Sequence, residues 1–292
     1  LLILVCMNLC YAESMRMYSV SDQEIDYANF VDLHDVYAFQ VSTSHPCFSA
    51  SSDGLLLDKT GTELLLVPAC YCDDILEVPE GIERNSSIAF AACSNLTILK
   101  LPSTFLEYIP SNYSWLREIL VSKTNPYMTS IDGVLFSKDK TILIAHPIGR
   151  DESEYVIPNG VTTIGAFSFA SPELVTIKLS ETVETIENFA FSDCENLQCV
   201  HWNSTISSIG KGAFLNTGIH VLILPNGIRC IDDRAFEQCP LEFVYLPRSI
   251  EYIGEDAFRN STGTQVTFAC EEGTYAENWL KQQGVVDYFI LD

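Results

Sequence analysis

Residues 183–258 read VETIENFAFSDCENLQCVHWNSTISSIGKGAFLNTGIHVLILPNGIRCIDDRAFEQCPLEFVYLPRSIEYIGEDAF. Within this stretch the dipeptide Ala-Phe occurs four times, at spacings of 23, 22 and 22 residues: Ala190-Phe191, Ala213-Phe214, Ala235-Phe236 and Ala257-Phe258. Two apolar segments, too short and too alternating for helices, precede each pair. A unit of this length cannot bury its own apolar face. The regularity therefore predicts units that stack into a solenoid.

The repeat extends toward the N-terminus. Ser168-Phe169 precedes the first Ala-Phe pair by 22 residues, and Ala89-Phe90 is an outlying copy. Residues 96–128 keep the leading Leu segment but lose the pair, so these coils are degenerate. We expect the alanine where backbones pack closely and the phenylalanine inside. The rings would then form one spine, each touching the next: Phe169, Phe191, Phe214, Phe236 and Phe258.

A longer duplication overlies the repeat. Asp53-Gly54 matches Asp132-Gly133 at an offset of 79 residues, and in both copies an apolar segment, a polar turn and a second apolar segment follow. This order is typical of a β-hairpin. We therefore predict two hairpins inserted between coils, at about residues 53–68 and 132–147.

The units resemble those of the BspA-type leucine-rich-repeat family, which read approximately LxxIxIPxxVxxIGxxAFxxC. The resemblance covers about residues 41–286 and includes both hairpins and the closing GTYAENWLKQQGV at residues 273–285. It implies a leucine-rich-repeat solenoid of short β-strands and turns. It also implies a protein that is secreted or surface-displayed and acts in adhesion and host-protein binding, without catalysis.

We divide the chain into four segments. Residues 1–12 are uncharged and apolar, which is typical of a truncated signal peptide; a buried N-terminal strand is the alternative. Residues 13–40 are assigned as an N-terminal cap, in which Ser21 to Glu24 has the pattern of a capping box. The solenoid occupies residues 41–261. Residues 262–292 form a C-terminal cap, with a short helix over 274–283 and a strand over 285–291.

The composition excludes several classes of function. The 292 residues carry a net charge of −23, which repels nucleic acid and anionic lipid, and an apolar content of 47% excludes intrinsic disorder. The mature chain has no segment of membrane-spanning length. Five glycosylation sequons favour a eukaryotic secretory route, although a bacterial origin stays open: Asn85, Asn95, Asn112, Asn203 and Asn260.

The cysteines follow the repeat. Cys93, Cys194 and Cys239 occupy one repeat position that Thr217 and Ser261 hold elsewhere, which predicts a small, semi-buried packing slot. Removal of Cys6 and Cys10 with the signal peptide leaves nine cysteines, an odd number. Cys70, Cys72 and Cys47 would pair only if oxidised, and their connectivity is not readable from the sequence.

No catalytic, metal or cofactor motif is present. The five histidines lie in unrelated contexts, and there is no HExxH, GxSxG, GxxxxGK, GxGxxG or zinc spacing. A dispersed Ser-His-Asp site stays open, because triads are recognised by geometry. Weak calcium binding by the many carboxylates is a second alternative, but no EF-hand spacing supports it.

The first strand of each unit offers a candidate binding surface. Alternation turns Leu or Ile inward and the intervening residues outward. The outward residues of four successive strands form a stripe that contains no acidic residue. From this stripe we select the candidate binding residues Lys178, His201, Val221, Ile223, Phe243 and Tyr245. The alternative is that good ladder-forming residues lie here, or that a cap covers them.

The predicted function is a secreted or cell-surface interaction module, adhesive in role. It would bind a host or cell-surface protein or glycan through a repeat face. The alternative is a structural spacer that displays or separates other domains. The binding hypothesis predicts that the acid-free stripe is exposed and cohesive, whereas the spacer hypothesis predicts that it is covered or unremarkable.

Overall fold

The computed structural model describes residues 16–20, 35–71, 74–107, 113–261, 263 and 265–291, without the side chain of Arg16. The chain divides into two compact units, Leu1–Gly133 and Val134–Asp292. Both consist of short β-strands joined by turns, which confirms the predicted β-solenoid. The predicted signal peptide, the Ser21 to Glu24 capping box and Cys72 lie outside the described residues.

The first unit contains ten described strands: β1 (Arg16–Val20), β2 (Val36–Val41), β3 (Phe48–Ala50), β4 (Leu56–Asp58), β5 (Glu63–Leu66), β6 (Ile75–Glu77), β7 (Arg84–Asn85), β8 (Ile98–Leu101), β9 (Glu118–Val121) and β10 (Met128–Ile131). The parallel pair β1-β2 is separate from the sheets β3-β4-β5-β7 and β6-β8-β9. Phe39 of β2 packs with Leu56 and Leu66 of the first hairpin in a buried cluster. The cap boundary at residue 40 stays a prediction.

The second unit contains the strands β11 (Val134–Ser137), β12 (Ile142–Ala145), β13 (Glu154–Val156), β14 (Thr163–Ile164), β15 (Thr176–Lys178), β16 (Thr185–Ile186), β17 (Cys199–His201), β18 (Ser208–Ile209), β19 (Val221–Ile223), β20 (Cys230–Ile231), β21 (Phe243–Leu246), β22 (Tyr252–Ile253), β23 (Thr267–Glu271) and β24 (Tyr288–Leu291), with the helix α1 (Tyr275–Gln282).

Each coil of the second unit supplies two strands to two different sides of the stack. One side is a sheet in which β12, β14, β16, β18, β20 and β22 follow in that order, joined in parallel. Equivalent isoleucines are in register, such as Ile186 with Ile209 and Ile209 with Ile231. A constant unit length places like residues above one another, so the buried face repeats at each coil.

The predicted phenylalanine spine is confirmed. The rings of Phe169, Phe191, Phe214, Phe236 and Phe258 stack in succession, with centroids 4.7 to 5.7 Å apart. The preceding alanines are buried because adjacent turns meet through backbone hydrogen bonds. Phe191 N donates to Ala213 O at 2.8 Å, and Phe214 N donates to Ala235 O at 2.7 Å. A larger side chain than alanine would separate these turns.

Left-handed backbone occurs at one position in all five spine turns and at a second position in three of them. The first is the residue before the pair, with φ between 55° and 57°: Phe167, Phe189, Gly212, Arg234 and Asp256. The second lies two residues after the spine ring: Asp193, Asn216 and Gln238. Around them every second N–H in the turn donates to the next coil, as Phe189 N does to Lys211 O and Asp193 N to Leu215 O. The repeat pattern did not predict these left-handed positions.

Both predicted hairpins are confirmed. Strands β4 and β5 pair antiparallel, as do β11 and β12. The second strand of each hairpin then pairs in parallel with the following coil, β5 with β7 and β12 with β14. The hairpin strands are therefore part of the same sheets as the strands of the following coils. At the first hairpin, Gly54 has φ 82°, and a Cβ there would lie 2.4 Å from Ala38 Cβ, so only glycine fits.

The C-terminal helix and strand are also confirmed. Thr274 caps α1 by accepting a hydrogen bond from Glu277 N at 3.2 Å. Trp279 on this helix packs edge-on against Phe258, with centroids 5.9 Å apart, and so closes the end of the spine. The strand begins at Tyr288 and pairs in parallel with β23, three residues later than expected.

Candidate interaction surface

The six candidate residues lie on two separate sheets. Strands β13, β15 and β17 form a three-stranded sheet, and β19, β21, β23 and β24 form a four-stranded one. Lys178 is in register with His201 on the first sheet, and Ile223 with Tyr245 on the second. Among the described strands no ladder joins β17 to β19. The predicted stripe is therefore divided between two sheets.

A cleft marks the interruption. Its volume is about 190 Å³, and it is lined from both sheets by Gln198, Cys199, Val200, Trp202, Ile219, Val221, Leu222 and Ile223. The Trp202 ring lies edge-on to the spine ring of Phe214, with centroids 5.7 Å apart. The side walls of the cleft thus rest on the buried core, which keeps them rigid.

The three-stranded sheet presents charged and polar side chains beside the exposed Val156. Lys178 Nζ lies 2.7 Å from Glu154 Oε1, and Glu154 is in register with Thr176 on the same face. Strand β13 therefore adds an acidic residue to this face, although the outward residues of the four strands in the predicted stripe contain no acid. His201 Nε2 lies 3.7 Å from Cys199 Sγ, and both side chains are exposed. Lys178 is already engaged in an ion pair.

The four-stranded sheet presents an apolar surface. Val221 and Ile223 are 53% and 60% exposed, while Phe243 and Tyr245 beside them are half-buried. The Tyr245 hydroxyl donates to Glu271 Oε1 at 3.2 Å. Burial, together with the nearby Glu271 carboxylate, raises the pKa of Tyr245. Tyr245 is therefore held in place as a neutral donor.

The surface has one further member that sequence reasoning missed. Tyr245 is in register with Ala269, and Ala269 with Phe289 of β24, so Phe289 faces the same side of the sheet. Its ring is 61% exposed. Residue parity within 285–291 was the available signal, but the strand partner of this segment was unknown. We call Val221, Ile223, Phe243, Tyr245 and Phe289 the apolar patch.

The sequons differ in accessibility. Asn95 is exposed, Asn85 and Asn260 are half-buried, and Asn112 lies outside the described residues. Asn203 is 3% exposed, and its amide nitrogen donates to Ser180 O and Val183 O of the neighbouring coil. A glycan on Asn203 would require the loss of both hydrogen bonds, so this site conflicts with the folded coil. The other three described sequons stay predictions.

The cysteine slot is buried as predicted. Cys93, Cys194, Cys239 and Thr217 are all buried, whereas Ser261 in the last unit is exposed. Thr217 Oγ1 lies 3.2 Å from Cys239 Sγ in the adjacent coil. Burial raises the pKa of the Cys93 and Cys194 thiols to about 12 and that of Cys239 to about 11. These thiols are packing groups.

Metal binding and membrane insertion have no support among the described residues. Within the described ranges no three histidine, cysteine or acidic side chains are grouped to hold a metal ion. In the same part of the chain, the helical segment is too short and too polar to cross a membrane.

In-register parallel strands, a stacked aromatic spine and an exposed outer sheet face define a solenoid repeat protein. A family model described as "BspA type Leucine rich repeat region" matches residues 70–143 and 151–265 in six copies. The match covers more than half of the chain, which therefore belongs to the BspA-type leucine-rich-repeat family. The matched model describes a repeat region.

Solved structures share the fold. The crystal structure of the pneumococcal vaccine antigen PcpA aligns with a TM-score of 0.54 and 17% identity, over 97% of this chain and 90% of that one. A leucine-rich cell surface protein from Faecalibacterium prausnitzii aligns with a TM-score of 0.52 and 22% identity. That alignment spans 92% of this chain and 60% of the other. No curated protein sequence matches the chain significantly.

Proposed function

We propose that the chain is a secreted or cell-surface interaction module, adhesive in role, that binds a host or cell-surface protein or glycan. The binding surface is the apolar patch. The observation that carries the proposal is the exposure of Val221 and Ile223 beside the cleft, on the outward face of a strand whose inward Leu222 is buried.

Several physical features support this surface. Exposed apolar groups grouped on one sheet face favour a partner, because binding removes them from water. Tyr245 adds an oriented hydroxyl, and Phe243 a half-buried ring. The strands are supported by the stacked core, so the patch loses little conformational entropy on binding. The F. prausnitzii structure is that of a leucine-rich cell surface protein, which is consistent with the proposed location.

The polar residues Lys178 and His201 have a smaller role in this proposal. They lie across the cleft from the patch, and Lys178 pairs with Glu154. Their contribution is to the rim, where charged contacts affect the association rate more than the affinity.

A structural spacer is the second candidate. Long in-register ladders and a continuous spine make a rigid rod-like stack within the second unit, which is the property that a spacer needs. A spacer has no use for an apolar patch, so partner binding distinguishes the two functions.

The test is capture of a partner by the full chain from extracellular-matrix and cell-surface fractions, followed by quantification with the purified partner. Val221→Thr with Ile223→Thr keeps β-branched side chains and removes apolar surface. We expect this variant to bind about tenfold more weakly or worse. The double variant Phe243→Ala with Tyr245→Ala is expected to behave in the same way.

Val156→Thr is the matched control. Val156 is 56% exposed and lies on the three-stranded sheet, so the same chemical change occurs away from the patch. We expect its affinity to equal that of the wild type. Equal affinity of the folded patch variants and the wild type would contradict the proposed surface, and the absence of any partner would favour the spacer.

A further inference from the structure

The outer edge of β24 is an open strand edge. This strand is the last in the order β19-β21-β23-β24, and among the described residues no strand pairs with its other side. An edge of this kind presents a row of backbone N–H and C=O groups without partners. Proteins commonly blunt such edges with lysine, proline or a covering loop. Residues 288–291 read YFIL and contain none of these protective residues.

The side chains of β24 are apolar on both faces. Phe289 and Leu291 alternate with Ile290, and all three are exposed. Tyr288 is anchored from the other face, because its hydroxyl donates to Glu277 Oε1 of the helix at 3.3 Å. Tyr288, Phe289 and Ile290 are residue types that favour β-structure. The strand is therefore held in an extended conformation by β23 and α1, and no strand of the described ranges covers its outer edge.

The net charge around this edge is negative. Arg248 Nε pairs with Glu271 at 2.7 Å, and Lys281 Nζ pairs with Glu277 at 2.6 Å, so both cations are neutralised locally. Asp287 and Glu272 remain exposed at the two ends of the strand pair. Because the chain carries a net charge of −23, it repels a second copy of itself and attracts a basic partner.

We propose that β24 binds an extended segment of a partner protein, which adds as a fifth strand to the sheet. The segment has alternating apolar residues and basic residues at its ends. Its backbone pairs with the open edge, its apolar side chains continue the row that Tyr245, Ala269 and Phe289 form, and its basic ends meet Asp287 and Glu272. This proposal rests on the proposed binding function and specifies its partner as a protein strand.

The experiment uses the full chain and a synthetic peptide of alternating valine and threonine with lysines at both ends. A second peptide of the same sequence carries N-methyl groups on alternate residues, which removes the donors of one edge and keeps every side chain. We expect the first peptide to bind and the methylated one to bind about tenfold more weakly or worse. Equal binding of both peptides, or no binding of either, would overturn the proposal.

Protein variants locate the site. Ile290→Lys places a charge in the strand on the face opposite Phe289, and we expect it to abolish peptide binding. Val156→Lys is the matched control, because it introduces the same charge at an exposed strand position on the three-stranded sheet, away from β24. It should bind like the wild type. Retained binding by Ile290→Lys, or equal loss in both variants, would contradict the edge as the site.

Two further measurements distinguish a failure of the strand proposal from a failure of the proposed binding function. The variant Val221→Thr with Ile223→Thr lies at the far strand of the sheet, so we expect it to keep peptide binding while it loses the natural partner. Partner binding that depends on the patch without peptide binding would refute the strand proposal alone. Light scattering on the wild type tests whether a second copy of the chain pairs with the edge of β24. A dimer that Ile290→Lys dissociates would show that the edge binds a second copy and not a partner segment.

Discussion

The imidazole ring of His146 stacks on the Phe169 ring, with centroids 4.7 Å apart and 19° between the planes. A histidine thus continues the phenylalanine spine at the coil that precedes Phe169. Its Nε2 lies 2.6 Å from Glu152 Oε1, which also accepts from Arg150 Nε at 2.7 Å. Its Nδ1 is buried without a hydrogen-bond partner. Burial lowers the pKa of His146, so the ring is neutral in the folded coil.

This arrangement predicts that stability falls in mild acid. The pKa of His146 is lower in the folded than in the unfolded chain, so the unfolded chain takes up a proton first as the pH falls below about 6.5. His146 therefore removes up to about 2 kcal/mol of unfolding free energy between pH 6.5 and 5. We expect His146→Phe to flatten the pH dependence in this window, measured by denaturant unfolding at successive pH values. An unchanged slope would contradict the role of His146.

A second loss of stability is expected at lower pH. Burial opposes ionisation of Glu152, but the hydrogen bonds from His146 and Arg150 outweigh it and lower the pKa of Glu152 to about 2. The stability that this carboxylate contributes is complete above its ordinary pKa and declines as the pH falls toward 2. Glu152→Gln should weaken the pH dependence below pH 4.5 at a cost in stability at pH 7. A pH dependence below 4.5 that matches the wild type would exclude Glu152 as its source.

The spine predicts a steep contrast between two aromatic substitutions. Phe214 is fully buried between Phe191 and Phe236, so Phe214→Ala leaves a cavity and should cost about 3–5 kcal/mol. Phe167 is 62% exposed, and Phe167→Ala should cost less than about 1 kcal/mol. Denaturant unfolding followed by tryptophan fluorescence measures both. Similar costs for the two variants would contradict the spine as the main source of cohesion.

The left-handed turn positions predict an unusual preference for glycine. Gln238 has φ 62° and an exposed side chain, so Gln238→Gly should gain up to about 1 kcal/mol. Gln238→Val should lose at least about 1 kcal/mol, because a β-branched residue is strained there. Glu255, exposed and with ordinary φ, is the control. Glu255→Gly should lose about 0.5–1 kcal/mol. Thermal unfolding measures all three, and a loss in Gln238→Gly would contradict the prediction.

The cysteine slot predicts two reactivity classes. Cys93, Cys194 and Cys239 are buried with raised pKa values, whereas Cys47 and Cys199 are exposed. We expect iodoacetamide to modify the buried group more than about 100-fold more slowly than the exposed pair at pH 8. Peptide mass spectrometry of the folded chain gives the rates, and a denatured sample is the control. Rapid native modification of Cys194 or Cys239 would show that the slot opens to solvent.

Much of the fold follows from local patterns. The spacing of Ala190-Phe191 and its repeats predicts the stack and the spine, because equal unit lengths place equal residues above one another. The Asp132-Gly133 copy and Thr274 predict the second hairpin and the start of the helix, because turns and caps depend on a few adjacent residues. The left-handed positions were missed because Phe189, Arg234 and Gln238 are residue types that do not signal positive φ.

The candidate surface depended less on local pattern. Alternation placed Val221 and Ile223 outward correctly, because side-chain parity is a property of the strand itself. It did not predict the break between β17 and β19 or the pairing of Lys178 with Glu154. It also missed Phe289. These features depend on which strands become neighbours.

The sequence by itself determined the repeat, the buried ring of each coil, the hairpins and the outward parity of the candidate residues, since each follows from spacing within one unit. Only the tertiary structure decided that the outward face divides into two sheets, that a cleft separates them, and that β24 ends the apolar one with an open edge. The physical reason is that backbone pairing between coils is a long-range choice, and no residue within a single unit carries the identity of its neighbour across the ladder.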